Sequence, residues 1–156
     1  MKRTLYLETT IPSYLVARPS RDIIVAAHQE LTRRWWDERL DDFKIYISQL
    51  VLDEVGDGDL VMARNRIEKV RHFTTLDIDP VVSSLAGKLI LLGGMPLKAK
   101  ADAVHVAVAA INEIEYLLTW NCAHINNAEM KTKIAEICAD HGFQLPIICT
   151  PEELLG

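Results

Sequence analysis

The stretch KAKADAVHVAVAAI, residues Lys98–Ile111, carries small or apolar side chains on nearly every side of a helical wheel. A helix at a surface keeps a polar face, so this one is expected to lie buried between other elements. Asp102 stands near its start, and His105 follows three positions later on about the same face. Downstream, Tyr116–Trp120 (YLLTW) reads as a strand, Asn127–His141 as a helix stopped at Gly142, and Leu145–Cys149 as a last strand before a PEELL turn. Upstream, apolar residues recur at Val82, Leu85, Ala86 and Leu89, so Val81–Leu92 reads as a helix ended by Gly93, Gly94 and Pro96.

The amino-terminal half continues the alternation. Arg3–Leu7 reads as a buried strand that delivers Glu8 to its carboxyl end, with Thr9, Thr10 and Pro12 breaking it. A long helix is expected from about Arg21 to Asp41, capped by Ser20. Phe43–Ser48 is a strand, QLVLDEVGDG a short helix carrying Glu54 and ending at Gly56 or Gly58, Leu60–Arg71 a basic helix, and HFTTLDI a weak strand. Strands separated by helices imply a central, mainly parallel sheet of four to five strands with helices on both faces. Ligands in such sheets gather at the carboxyl ends of the strands. With 156 residues and no linker-like tract, residues 1–156 are expected to form a single domain.

Composition narrows the class. Hydrophobic residues at 49% and charged residues at 25% are ordinary for a globular protein, so a sizeable core is expected and disorder is not. The first residues lack a signal peptide's apolar core, and no apolar run approaches the roughly 18 residues of a membrane span. Cys122, Cys138 and Cys149 form an odd set without metal-finger spacing, which fits a reducing, cytoplasmic setting. A net charge of −5 argues against a protein that binds nucleic acid along a broad basic face. It is compatible with a nuclease whose bound cations meet the phosphate locally.

Glu8, Asp102, an acid of the stretch carrying Asp53, Glu54, Asp57 and Asp59, and Asn121 after the strand YLLTW are the groups this topology can bring to one sheet edge. Carboxylates gathered there repel one another unless a cation is present. Oxygen ligands suit Mg²⁺ or Mn²⁺, and Mg²⁺ is commonly held by one or two carboxylates together with waters and a substrate phosphate. Trp35, Trp36 and Trp120 are read as core packing rather than as stacking platforms for bases.

These segments, YLETTIPSYL, SQLVLDEVGDGD, PLKAKADAVHVAVAA and YLLTWNCAHINNA followed by CTPEEL, together resemble the PIN domain, and within it the VapC-type ribonuclease toxins, over nearly the full chain. The resemblance implies a single PIN-like domain, a three-layer α/β/α sandwich, that acts as a metal-dependent endoribonuclease of toxin–antitoxin type. It would hydrolyse RNA phosphodiester bonds with a water activated by Mg²⁺ or Mn²⁺. By motif, Glu8, Glu54 and Asp102 fall on the metal ligands, Asn121 completes the catalytic set, and Thr10 stands behind Glu8; His105, from its spacing after Asp102, reads first as a satisfied, partly buried histidine and second as a residue touching substrate or standing behind an acid. A small antitoxin, a homodimer and no membrane are the partners implied. The first acid of this family is usually Asp and here it is Glu8, so the alternative is a PIN-fold binding module with weakened or absent catalysis.

Overall fold

In a computed structural model describing residues 1–156, five strands form one sheet: β1 (Arg3–Leu7), β2 (Phe43–Ser48), β3 (Thr74–Leu76), β4 (Tyr116–Leu118) and β5 (Ile147–Cys149). Their order is β3-β2-β1-β4-β5, and every pairing is parallel. Seven helices complete an α/β/α sandwich: α1 (Thr10–Val16), α2 (Ile23–Arg39), α3 (Gln49–Val55), α4 (Leu60–Val70), α5 (Pro80–Leu91), α6 (Lys100–Ile111) and α7 (Ala128–Asp140).

The central strands of a parallel sheet must be covered on both faces, which is why β1 and β4 run apolar, whereas β2 alternates and the edge strand β3 is largely exposed. In β1, Leu5, Tyr6 and Leu7 are all fully buried, as are Leu117 and Leu118 of β4. Burying each such leucine contributes roughly 1.5–3 kcal/mol. The α6 helix is enclosed as its composition demands, with Ala103 and every residue from His105 to Ala110 buried. It packs against α5, which also meets α7, while α1 packs against α2 and α4. The α5 helix stops where Gly93 turns with φ +81° and the Gly94 amide donates to the Leu89 carbonyl at 2.9 Å, closing the last turn.

The chain fills one side of β1 with β2 and β3 before returning to place β4 on the other side. The strand order therefore reverses at β1, and the crevice beyond the carboxyl ends of β1 and β4 is where such sheets bind ligands.

One expectation needs correction, and one helix goes beyond what was expected. Thr9, Thr10 and Pro12 end β1 as expected, and Thr10–Val16 is in addition helical. Pro12 lies in its first turn, where the missing amide hydrogen leaves no intrahelical bond unmade. The cap of α2 is Asp22 and not Ser20: the Asp22 carboxylate accepts from the Ile24 and Val25 amides at 2.9 and 3.0 Å, whereas the Ser20 hydroxyl accepts from the Asp22 amide. Replacing Asp22 with alanine is expected to lower stability by about 1 kcal/mol. Chemical denaturation of Asp22→Ala and Ser20→Ala side by side checks the assignment, and an equal loss in both would refute it.

All three cysteines are free, with Cys122 exposed and the other two buried. Burial pushes the Cys138 thiol up to about 11. Burial and the nearby Glu153 charge push Cys149 up to about 12, against the opposing effect of Lys131. The reactive species is the thiolate. At pH 8 a thiol reagent is therefore expected to modify only Cys122 in the native protein and all three cysteines after denaturation, as counted by intact-mass spectrometry. No helix is long and apolar enough to cross a membrane.

Candidate active site at the carboxyl edge of the sheet

Glu8 follows β1 directly, and its amide still donates to the Leu118 carbonyl at 3.1 Å, extending the ladder to β4 by one bond. This places a carboxylate in the crevice at 3% exposure. Glu8 Oε1 accepts from the Thr10 hydroxyl at 2.5 Å and the Thr119 hydroxyl at 2.6 Å. The same two hydroxyl oxygens accept from the Trp120 and Asn121 amides, each at 2.9 Å. Their protons are therefore free to point at Glu8, and both threonines serve as donors to it.

Glu54 reaches the same edge from α3, which begins where the Ser48 side chain caps it. Its Oε1 accepts from the Thr9 hydroxyl at 2.6 Å and lies 2.6 Å from His105 Nε2. Burial raises the Glu54 pKa, but the hydrogen bonds from His105 and Thr9 outweigh it and hold the carboxyl below its ordinary value. His105 Nδ1 lies 2.7 Å from the Tyr6 hydroxyl. Burial pushes the Tyr6 phenol upward, and the charges of Glu8 and Glu54 add to that rise against the Ser48 hydrogen bond, so both acids stand near this phenol.

Asp102 sits in the first turn of α6, one helical turn before His105. Its Oδ2 lies 3.1 Å from His124 Nδ1. The Asn121 carboxamide oxygen accepts from the His124 amide at 3.0 Å, forming the turn that brings the imidazole to Asp102. The carboxylates are thus joined through Thr119, Asn121 and His124 on one side, and through Thr9 on the other, whose chain neighbours are Glu8 and Thr10.

Each acid uses only one oxygen in these contacts, leaving Glu8 Oε2, Glu54 Oε2 and Asp102 Oδ1 without a protein partner. The one fully buried polar side-chain atom without a partner lies elsewhere, at Trp35 Nε1, so these three oxygens retain contact with solvent. Glu8 has no Lys, Arg or His neighbour in an ion pair. An ionised carboxylate this buried is costly unless paired, and its only donors here are neutral hydroxyls. Such an oxygen set suits a hard divalent cation. No group of three His, Cys, Asp or Glu side chains, the trio Glu8, Glu54 and Asp102 included, is arranged to hold a metal. The Thr and His donors draw one oxygen of each acid to themselves, so what the site offers is a sparse set of the kind in which Mg²⁺ keeps most of its waters.

No family model matches the sequence, and no curated protein matches it significantly. Solved structures do match the fold. VapBC2 from Rickettsia felis, bound to a DNA fragment from their promoter, superposes with a TM-score of 0.61 at 15% identity, covering 94% of this chain and 98% of that one. VapC20 of Mycobacterium tuberculosis, a toxin cleaving the sarcin-ricin loop, gives a TM-score of 0.57 at 13% identity, covering 73% of this chain and 87% of that one. The chain has the VapC fold.

In this VapC fold, Glu8, Glu54, Asp102 and Asn121 share one sheet edge, with Thr10 and His105 in direct contact with the first two acids. Asn121 builds a turn through its carboxamide oxygen, and its side-chain Nδ2 has no hydrogen-bond partner in the protein. Sequence reasoning passed over Thr9, Thr119, Tyr6, Ser48 and His124. The only local signal for any of them was a threonine closing the apolar strand YLL ahead of Asn121. Trp120 is buried, with its indole stacked on His28 at 4.0 Å and 10° and its Nε1 donating to Thr32 at 2.7 Å. This is packing against α2.

Proposed function

We propose that the protein is an endoribonuclease of toxin–antitoxin type that depends on Mg²⁺ or Mn²⁺. The observation that supports this most is Glu8: a carboxylate at 3% exposure, without a cationic partner, at the switch point of a VapC-like sheet. Glu54 and Asp102 lie on the same edge, each with one free oxygen. Glu8, Glu54 and Asp102 would hold the ion. When bound, a divalent cation would offset charge on a phosphoryl oxygen and lower the pKa of an attacking water.

The chain's own residues prepare that site. Thr10 and Thr119 fix the Glu8 carboxylate, Thr9 and His105 fix Glu54, and His124 fixes Asp102. The Asn121 side-chain Nδ2, without a partner in the protein, is a donor available to a phosphate oxygen. A small antitoxin partner is part of this proposal, as the VapBC2 neighbour suggests, and so is a homodimer. Exposed Leu91 and Leu97, which lie beside the α5–α6 pair, are candidates for its contact.

The test is cleavage of a structured RNA by the purified protein. Activity is expected with Mn²⁺ or Mg²⁺ and is expected to stop on chelation; cleavage that persists in excess chelator would overturn the proposal. The open arrangement of the acids favours one second reading, a binding module that retains the fold without catalysis. That reading predicts no RNA cleavage at any cation concentration, with antitoxin binding intact.

A further inference from the structure

Glu54 ends a buried chain of hydrogen bonds that crosses four elements of the fold. The Ser48 hydroxyl accepts from the Val51 amide and lies 2.8 Å from the Tyr6 hydroxyl. Tyr6 in turn lies 2.7 Å from His105 Nδ1, and His105 Nε2 lies 2.6 Å from Glu54 Oε1. Ser48, Tyr6 and His105 are each at 0% exposure, so every donor among them must find its acceptor within the protein.

That requirement sets the direction of the chain. With Nε2–H donating to the Glu54 carboxylate, Nδ1 accepts from the Tyr6 hydroxyl, and the Tyr6 oxygen accepts from the Ser48 hydroxyl. Every proton is then used. The reverse order, with Nδ1–H donating to Tyr6 and Tyr6 to Ser48, leaves the Ser48 proton without an acceptor in a fully buried position. His105 is also an exception on its helix, since its neighbours Val106, Ala107, Val108, Ala109 and Ala110 are buried and apolar. An aliphatic side chain would fill this space without the need for two buried polar partners.

We propose that His105 is a positioning residue. Backed by Tyr6 and Ser48, it fastens Glu54 Oε1 so that Oε2 is the oxygen left for a divalent cation, and in this way it sets the site's affinity for that cation. This rests on the reading of Glu8, Glu54 and Asp102 as the cation site. Thr9 binds the same Oε1. Two donors on one oxygen hold the carboxylate plane in place where a single hydroxyl would let it swing. Outer partners of metal-binding carboxylates typically change metal affinity or activity by about 10–100-fold.

The experiment uses the full chain and Mn²⁺ alone as the probe, with free Mn²⁺ measured by electron paramagnetic resonance and melting followed by circular dichroism. His105→Leu is expected to weaken Mn²⁺ binding by about tenfold or more. His105→Gln, whose amide can donate to Glu54 and accept from Tyr6, is expected to recover most of that loss. Tyr6→Phe, which removes the group behind the imidazole, is expected to fall between the two. Folded His105→Leu that binds Mn²⁺ as the wild type does would overturn the proposal, as would His105→Gln behaving no better than His105→Leu. If His105→Leu does not fold, Tyr6→Phe decides, and wild-type affinity there overturns the proposal. A wild type that neither binds Mn²⁺ nor cleaves RNA overturns the functional reading and this inference together; a wild type that does both beside an unimpaired His105→Leu removes the inference alone.

Discussion

Replacing Asp102 with alanine is expected to lower the rate of RNA cleavage by at least about a hundredfold, beyond the upper end of what the loss of an outer partner costs. Asp102 stands in the first turn of α6, where the positive end of the helix dipole favours a carboxylate. His124 takes Oδ2, and Oδ1 is left for a cation. The substitution removes one anionic ligand and leaves His124 without its partner. The side chain is only partly buried, at 21% exposure, and alanine is a good helix former, so the fold is expected to survive. Asp102→Asn separates charge from shape, because it keeps an oxygen for His124 and loses the anion. Both variants are expected to melt near the wild-type temperature while failing to cleave. Steady-state cleavage of a labelled RNA at fixed Mn²⁺ measures this, and wild-type rates in either variant would remove Asp102 from the site.

Shortening Glu8 to aspartate is expected to cost about a hundredfold in the same assay, the scale of a 1 Å misplacement of a reacting group. Members of the family that the sequence resembles usually carry Asp here, so the naive expectation is a gain. The structure argues the other way. Glu8 Oε1 meets two hydroxyls at 2.5 and 2.6 Å. Removing one methylene withdraws the carboxylate by about 1.5 Å and breaks both contacts. The threonines, whose oxygens already accept from the Trp120 and Asn121 amides, would then be left with unmatched protons in a buried crevice. A substantial rise in cleavage for Glu8→Asp over an inactive wild type would instead favour the binding-module reading. Thr119→Val provides the matching control: it removes one donor at nearly constant volume and is expected to lower the rate in the same direction.

The α6 segment carried its own description in the sequence, because a helix with no polar face has nowhere to lie except inside. Its buried run from His105 to Ala110 is what that composition demands. The strands were legible from their composition and from the alternation of Arg3–Leu7 and Phe43–Ser48, while the exposed edge strand in HFTTLDI gave only a weak signal. Elements decided by local competition were harder to read. Ser20 and Asp22 are both good caps, and only the carboxylate's reach to the Ile24 and Val25 amides separates them. The α1 helix was hidden because Thr9, Thr10 and Pro12 are read as breakers, although Pro is well tolerated in a helix's first turn.

Hydrophobic period and strand–helix alternation are local properties of the chain, so the parallel α/β sheet could be read directly from them, whereas Glu54 was separated from Asp53, Asp57 and Asp59 only by the family resemblance. How Glu8, Glu54 and Asp102 are held depends on the folded chain. Thr119 reaches Glu8 across 111 positions, His105 reaches Glu54 across 51, and His124 reaches Asp102 across 22. No periodicity links such partners. Hydrogen bonds between side chains act over about 3 Å of space, and the distance that matters to them does not exist until the sheet has closed around β1.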